Sequence, residues 1–264
     1  MNPKALLLRA ARGIALALAL LILAPPATAE IIEWRRMHQF TPGGSNPAGD
    51  GFGNPVWQYE WMTGDAISGT DPWWDNSTTL MVWDPDWWGR GVGAWSRGDN
   101  LSPMVNHTLL THNLYTISHP YMPLVRWTNP FTGDTDFSIG GLLRVVWNGP
   151  GFVGSDTLVD VVLAHQDGST GTKSILSSWT VAKPTPGDSV LDFLDLPVSM
   201  TLTLAHGDSL LITLRGHTVF SPFGRWVEMW DLLRIQTEIV PSPASGLVLL
   251  AAACLAHRRR PITH

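Results

Sequence analysis

The sequence predicts an all-β fold built as an antiparallel two-sheet β-sandwich. Three observations lead to this prediction. Between the chain ends, no sustained 3.6-residue hydrophobic period indicates long helices. Short runs rich in β-branched, leucine and aromatic residues recur instead, separated by clusters of Gly, Asp, Asn and Pro. Since no helix lies between the runs to carry parallel crossovers, we expect a jelly-roll-like sandwich, with an eight-stranded barrel as the alternative.

Eight runs between residues 30 and 239 have the length and composition of strands, and this span is the predicted folded domain. They are Val56–Met62, Thr79–Trp83, Phe137–Trp147, Thr157–Ala164, Ser174–Ala182, Val198–Ala205, Ser209–Arg215 and Trp226–Ile239. The last run alternates with a period of two. One face carries Leu233, Ile235, Thr237 and Ile239, and the other carries Leu232, Arg234, Gln236 and Glu238. This alternation predicts a strand with one buried face.

Residues 1–29 have the pattern of a signal peptide with an apolar helix. Basic residues come first, followed by the apolar run 14–24 and the small residues Ala27, Thr28 and Ala29. This order is typical of a segment that is removed on export. We therefore expect the mature chain to begin near Glu30, with a retained anchor as the alternative.

Residues 240–264 form a second terminal segment with a different pattern. The order is Val240, Pro241, Ser242, Pro243, an apolar run from Gly246 to Ala256, and then Arg258, Arg259 and Arg260. The prolines end the preceding strand, and the arginines favour the cytoplasmic side of a membrane. A helix of this apolar run measures only about 16 Å against a hydrocarbon core of about 30 Å. The segment predicts transient rather than permanent membrane contact.

These tail residues resemble a PEP-CTERM sorting segment. The resemblance covers residues 240–261: Pro241 and Pro243 match the two motif prolines, and Arg258–Arg260 match the basic stop. Ser242 stands where glutamate is commonest in the family. The resemblance implies a bacterial protein whose partner is an exosortase-type processing enzyme. It also implies export to the cell envelope, the cell surface or the extracellular matrix.

The net charge of the folded domain is more negative than that of the whole chain, which is −5. Six of the 17 Lys and Arg residues lie in the terminal segments, whereas all 22 Asp and Glu residues lie between Glu30 and Glu238. The domain therefore carries 11 positive and 22 negative charges, a net −11. Such a surface repels phosphate backbones, so we do not expect a nucleic-acid partner.

Tryptophans concentrate in one segment and suggest a ligand site. Eight of the 14 lie between Trp57 and Trp95. The adjacent pairs Trp73–Trp74 and Trp87–Trp88 occur near Asp84 and Asp86, which could bind sugar hydroxyls. Because an indole face packs well on a sugar ring, one candidate function is a carbohydrate-binding module for extracellular polysaccharide. The alternative is that these indoles fill the core.

The sequence also contains candidate residues for a calcium site and for a hydrolase active site. Asp134 and Asp136 have oxygen ligands suited to a structural calcium ion, although turn formation explains them equally well, and no other cofactor is expected. For a secreted polysaccharide hydrolase, the pair to test is Glu60 with Glu228 or Asp231. No serine-hydrolase elbow, zinc-protease helix or phosphate loop occurs in the sequence. The sequence thus favours a non-catalytic exported protein.

Overall fold

The structure, a computed structural model, gives the fold of most of the predicted domain. It describes residues 29–40, 45–49, 54–63, 73–75, 77–85, 93–96, 104–105, 109–113, 121–148, 158–184, 191–216 and 226–239. Contacts divide the chain into Ile32–Thr237 and a second unit, Met1–Ile31 with Glu238–His264. The predicted signal segment, apart from Ala29, and the whole predicted sorting segment lie outside the described residues.

The described residues form fifteen strands, so the all-β prediction is confirmed. The strands are β1 (Glu30–Trp34), β2 (Trp57–Thr63), β3 (Thr78–Leu80), β4 (Val82–Asp84), β5 (Ala94–Ser96), β6 (Met104–Val105), β7 (Leu109–Asn113), β8 (Tyr121–Thr128), β9 (Thr135–Asn148), β10 (Leu158–Gln166), β11 (Lys173–Ala182), β12 (Leu191–Leu204), β13 (Ser209–Gly216), β14 (Trp226–Asp231) and β15 (Arg234–Ile239). The helical elements are one turn, α1 (Arg36–Gln39), and a 3-10 turn, Trp73–Asp75. No helix in the described part is long and apolar enough to cross a membrane.

The strands form two antiparallel sheets. The nine-stranded sheet has the order β1-β15-β9-β14-β7-β6-β5-β4. In it β14 and β15 pair with different parts of β9, and β12 pairs with β9 along its whole length. The six-stranded sheet has the order β11-β10-β13-β8-β2-β3. The longest pairing joins β9 to β12 over all 14 residues of each strand.

The main apolar core draws residues from both sheets. In the nine-stranded sheet, alternate residues of β9 are buried, among them Phe137 and Trp147, both 0% exposed. In the six-stranded sheet, Tyr59 of β2 and Trp127 of β8 belong to the same cluster. The rings of Trp127 and Phe137 meet edge to face with centroids 5.0 Å apart. Trp127 and Trp147, 1% and 0% exposed, are therefore core residues.

Proline residues explain two errors in the predicted strands. The predicted strands do not include β8, whose apolar run contains Pro123, and the predicted β12 begins at Val198 rather than Leu191. In the structure, the β8–β13 pairing ends at Leu124, next to Pro123, whose carbonyl accepts a hydrogen bond from Thr213 Oγ1 at 2.8 Å. Pro197 lies in β12, which pairs only with β9 among the described strands. A proline is tolerated where no ladder N–H is required.

The predicted strand Trp226–Ile239 is interrupted at residues 232–233, which separate β14 from β15. At this interruption Leu232 N donates to the carbonyl oxygen of Leu142 at 3.0 Å. The predicted alternation in β15 is confirmed: Ile235 and Thr237 are buried, whereas Arg234 and Glu238 are exposed. The interruption therefore displaces the backbone locally and leaves the buried face intact.

Candidate functional site

The tryptophan pair Trp73–Trp74 lies in the 3-10 turn, on the outer face of the six-stranded sheet. We use "outer face" for the face opposite the main core. Trp74 is partly buried against a second apolar cluster on this face, whose members are Met62, Met122, Leu124, Val162, Ala164 and Leu211. Asp75 Oδ1 lies 3.5 Å from Lys173 Nζ, so an ion pair joins the turn to β11. The turn therefore covers part of this face.

Of the remaining residues of the predicted sugar site, the structure describes only Asp84. Trp87, Trp88 and Asp86 lie outside the described residues. Asp84 is partly buried at the end of β4, in register with Ala94 of β5. Trp57 and Trp95, at the two ends of the tryptophan-rich segment, are core residues, each 2% exposed. Of the predicted ligand residues with described side chains, only Trp74 lies on the outer face of the six-stranded sheet.

Beside the second apolar cluster, the outer face contains a polar pocket of about 330 Å³. We call it the outer-face pocket. Its lining residues come from β2, β8, β10, β13 and two turns, and they are Gln58, Glu60, Arg126, Thr128, Gln166, Gly168, Gly207 and Ser209. The alternation of each strand explains this grouping, because side chains two residues apart project from the same face of a sheet.

The pocket is built around an ion pair between neighbouring strands. Arg126 Nε and Nη2 donate to the two carboxylate oxygens of Glu60 at 2.7 and 3.1 Å. Arg126 Nη1 donates to Gln166 Oε1 at 2.5 Å. The side chain of Glu60 is 4% exposed and that of Arg126 is 12% exposed. This bidentate geometry fixes both groups and neutralises the charge of each.

Two turns form one wall of the pocket and contact each other through glycines. A Cβ added to Gly168 would lie 2.5 Å from the carbonyl carbon and oxygen of Gly207. Asp208 holds the turns together: its Oδ1 accepts Gly168 N at 2.8 Å, and its Oδ2 accepts Ala205 N at 3.1 Å. His165 Nε2 lies 3.0 Å from the same Oδ2 atom. The close approach requires glycine at position 168.

The remaining polar groups of the pocket are hydroxyls and an amide. Thr128 Oγ1 and Ser209 Oγ lie 3.0 Å apart, and either atom can be the donor. Among the described residues, no hydrogen bond to the side-chain amide of Gln58 is observed. An amide offers two donors and an acceptor, and each hydroxyl both donates and accepts. The pocket can therefore bind a ligand that donates and accepts at once.

We expect the free energy of unfolding to depend on pH through the carboxyl group of Asp208. Burial alone would raise the pKa of this carboxyl, but the hydrogen bonds from Gly168 N, His165 and Ala205 N outweigh it and lower the pKa below 3.8. The pKa of Asp208 is lower in the folded protein than in the unfolded chain. The stabilisation by its hydrogen bonds is therefore complete above pH 3.8 and is lost as the pH falls through the folded-state pKa.

This loss gives a testable difference between two proteins. We expect urea unfolding between pH 7 and pH 2 to show a higher free energy of unfolding for the wild type than for Asp208→Asn. This difference should become smaller as the pH falls below 3.8, the ordinary carboxyl pKa. Asp192→Asn, which changes a partly exposed aspartate of β12, serves as the control. A difference that is the same at every pH would contradict this assignment.

The carboxylates named for a hydrolase are not brought together in the pocket. Glu60 lies on β2 of the six-stranded sheet, and Glu228 and Asp231 lie on β14 of the nine-stranded sheet. Asp231 is 3% exposed, and its Oδ2 accepts Arg36 Nε at 3.2 Å. Of the three carboxylates, only Glu60 lines the pocket.

The calcium candidates are placed at the start of β9. Asp134 and Asp136 are both exposed, and Asp136 Oδ1 accepts a hydrogen bond from Thr203 Oγ1 across the β9–β12 pair at 2.6 Å. In the part of the chain that the structure describes, no group of three or more His, Cys, Asp or Glu side chains is arranged to hold a metal ion. Calcium binding at these residues stays a prediction.

Of the residues that line the pocket, only Glu60 is a candidate site residue in the sequence. Arg126 and Gln166, for example, are separated by 40 residues and meet only because β8 and β10 both flank β13. The only local signals were the turn residues around Gly168 and Gly207. The chain matches no family model and no curated protein.

Proposed function

We propose that the protein is a non-catalytic exported protein of a bacterial cell surface or extracellular matrix. In this proposal its folded domain is a two-sheet, jelly-roll-like sandwich, which is sorted and processed through residues 240–264. The observation that carries the proposal is the order of the tail residues: paired prolines at 241 and 243, an apolar run, and Arg258–Arg260. An exosortase-type enzyme is the processing partner.

The shared core supports the sandwich architecture. Residues of both sheets enter one continuous apolar cluster, for example Val125 of β8 and Val145 of β9. Two sheets that share a core in this way are expected to pack face to face at about 10 Å. A core shared by both sheets suits an exported domain without disulfides. The sole cysteine, Cys254, lies in the tail, so no disulfide within residues 30–239 can stabilise the domain.

The fixed ion pairs support a non-catalytic role. Glu60 is bound by two nitrogens of Arg126, and Asp231 is bound by Arg36. A general acid must come within hydrogen-bond reach of the substrate atom that it protonates. Both oxygens of Glu60 already accept hydrogen bonds from Arg126, and the side chain of Asp231 is 3% exposed, so both groups are poor candidates for the acid of a glycosidase.

The sorting function is tested by removing the positive charge of the tail. We expect a protein with Arg258, Arg259 and Arg260 changed to Ala to keep its tail and to differ from the wild type in its final location. The wild type should lose the tail and reach the cell surface or the medium. The measurements are the mass of the mature protein and its distribution between cell fractions, in a bacterium that contains an exosortase.

The control for this experiment is Arg234→Ala, which removes an exposed arginine of β15. The control protein should be processed and located like the wild type. If the triple variant is also processed and located like the wild type, the proposed sorting function is wrong.

A further inference from the structure

The described residues that line the outer-face pocket carry no net charge. Among them, only Glu60 and Arg126 are charged, and they neutralise each other through two hydrogen bonds. Each oxygen of Glu60 accepts a hydrogen bond from Arg126 and the Glu60 side chain is 4% exposed, so the carboxylate offers little to a cation. An anion would meet a neutralised guanidinium on a domain with a net charge of −11. These charges favour a neutral ligand.

The size and the polar groups of the pocket restrict the ligand further. About 330 Å³ is near the lower end of the range for small-molecule sites, which suits one ring rather than several. The hydroxyls of Thr128 and Ser209 and the amide of Gln58 are mixed donors and acceptors. A ligand that carries several hydroxyl groups matches such a set, because each hydroxyl also donates and accepts.

The surroundings of the pocket are apolar on one side. On β8 the next residue on the same face after Arg126 is Leu124, and on β13 the next after Ser209 is Leu211. Both leucines belong to the second apolar cluster, against which Trp74 packs. Leu124 and Leu211 are 0% and 1% exposed, so this side of the pocket is closed by packed side chains, and the contacts offered to a ligand come from the polar lining.

From these features we infer that the outer-face pocket binds one neutral sugar residue of an extracellular polysaccharide. Hydrogen bonds to the sugar come from Gln58, Thr128 and Ser209, and the Arg126–Glu60 pair holds the floor of the pocket rigid. This inference goes beyond the proposed function, since it assigns a ligand to the folded domain. It places the hydrogen bonds to the sugar at residues other than those that the sequence suggested, which are Trp73, Trp74, Asp84, Asp86, Trp87 and Trp88.

The test compares two double variants of the purified full-length protein. Thr128→Val/Ser209→Ala removes both hydroxyls of the pocket. Because the two hydroxyls bond each other, replacing both by apolar groups of similar shape should change stability little. The matched control is Thr201→Val/Ser199→Ala, which makes the same two changes at exposed positions of β12 on the other sheet.

The probes are the methyl glycosides of glucose, galactose and mannose, with glucuronic acid as the charged comparison. Binding is measured by NMR titration, and folding is checked on the same samples by circular dichroism. We expect at least one neutral glycoside to bind the wild type and the control equally, and to bind the pocket variant at least about tenfold more weakly, or about 1.4 kcal/mol. If the pocket variant does not fold, Gln58→Ala is measured in its place with the same expected loss.

Three results would overturn the inference. These are the absence of binding by every neutral glycoside, equal binding by the pocket variant, and tighter binding of glucuronic acid than of the neutral sugars. None of these measurements depends on the tail. A failure of the sugar inference can therefore be told apart from a failure of the proposed sorting function.

Discussion

Replacing Arg36 by Ala is expected to lower the free energy of unfolding by about 3–5 kcal/mol. The change leaves the carboxylate of Asp231 buried without its arginine partner. The side chains of Arg36 and Asp231 are 0% and 3% exposed, and the two groups are 3.2 Å apart. Burial also raises the pKa of Tyr59 to about 12, and both charges act on that hydroxyl. The ion pair therefore lies in a part of the core that solvates charge poorly.

The control for this loss is a second ion pair with greater exposure. Arg144 Nε and Asp195 Oδ1 are 2.6 Å apart, with side chains 29% and 37% exposed. Water screens such a pair, so Arg144→Ala should cost only about 0–1 kcal/mol. Urea unfolding of the two single variants gives the comparison directly. Equal losses would contradict the claim that burial makes the Arg36–Asp231 pair the more important one.

A double variant separates the charge from the packing. Arg36→Met/Asp231→Asn removes both charges, and the asparagine keeps an oxygen that can accept Leu233 N, which Asp231 Oδ1 accepts at 3.1 Å. We expect this protein to be more stable than Arg36→Ala, because no uncompensated charge is left in the core. If it is no more stable, the loss in Arg36→Ala comes from packing rather than from charge.

Replacing Gly141 by Ala should have the second large effect. Gly141 has a φ of +129°, and an added Cβ would lie 2.4 Å from the carbonyl oxygen of Leu232. The unfavourable φ alone costs about 1–3 kcal/mol in a non-glycine residue. The clash is with backbone, at the interruption between β14 and β15, so relieving it would move Leu232 away from its hydrogen bond to Leu142. The total loss should therefore exceed the cost of φ alone.

The neighbouring glycine provides the control. An added Cβ at Gly140 would have no atom within 4 Å, and Gly140 does not have a positive φ. Gly140→Ala should therefore be neutral or stabilise the protein by about 0.4–1 kcal/mol, because alanine restricts the unfolded chain. Thermal or urea unfolding measures both variants. If Gly141→Ala is no less stable than Gly140→Ala, the interruption does not depend on glycine at position 141.

The strands were predicted well where their pattern is local. The run Ser209–Arg215 corresponds to β13, which begins at Ser209, and the period of two in β15 predicted which side chains are buried. Two of the failures lie at prolines, because a proline usually ends a strand but is tolerated where no ladder N–H is needed. Pro123 and Pro197 occupy such positions, and only the pairing of their strands reveals it.

The candidate site was harder to predict than the fold. Adjacent tryptophans can be recognised in a sequence, and they led to the prediction of a ligand site at residues 73–74 and 87–88. The outer-face pocket has no comparable signal, because Gln58, Arg126 and Ser209 come from three strands that are far apart in the chain. Glu60 was noticed only as a carboxylate, and its function as the partner of Arg126 depends on the antiparallel pairing of β2 with β8.

The sequence by itself determined the all-β class, the buried face of β15 and the negative charge of residues 30–239. Each of these follows from composition or from a repeat of two residues, which are local properties of the chain. Only the tertiary structure decided which side chains meet. Arg36 and Asp231 are 195 residues apart, and the outer-face pocket draws on β2, β8, β10 and β13. Strand order sets these contacts, and it follows from the packing of the whole domain rather than from any one segment.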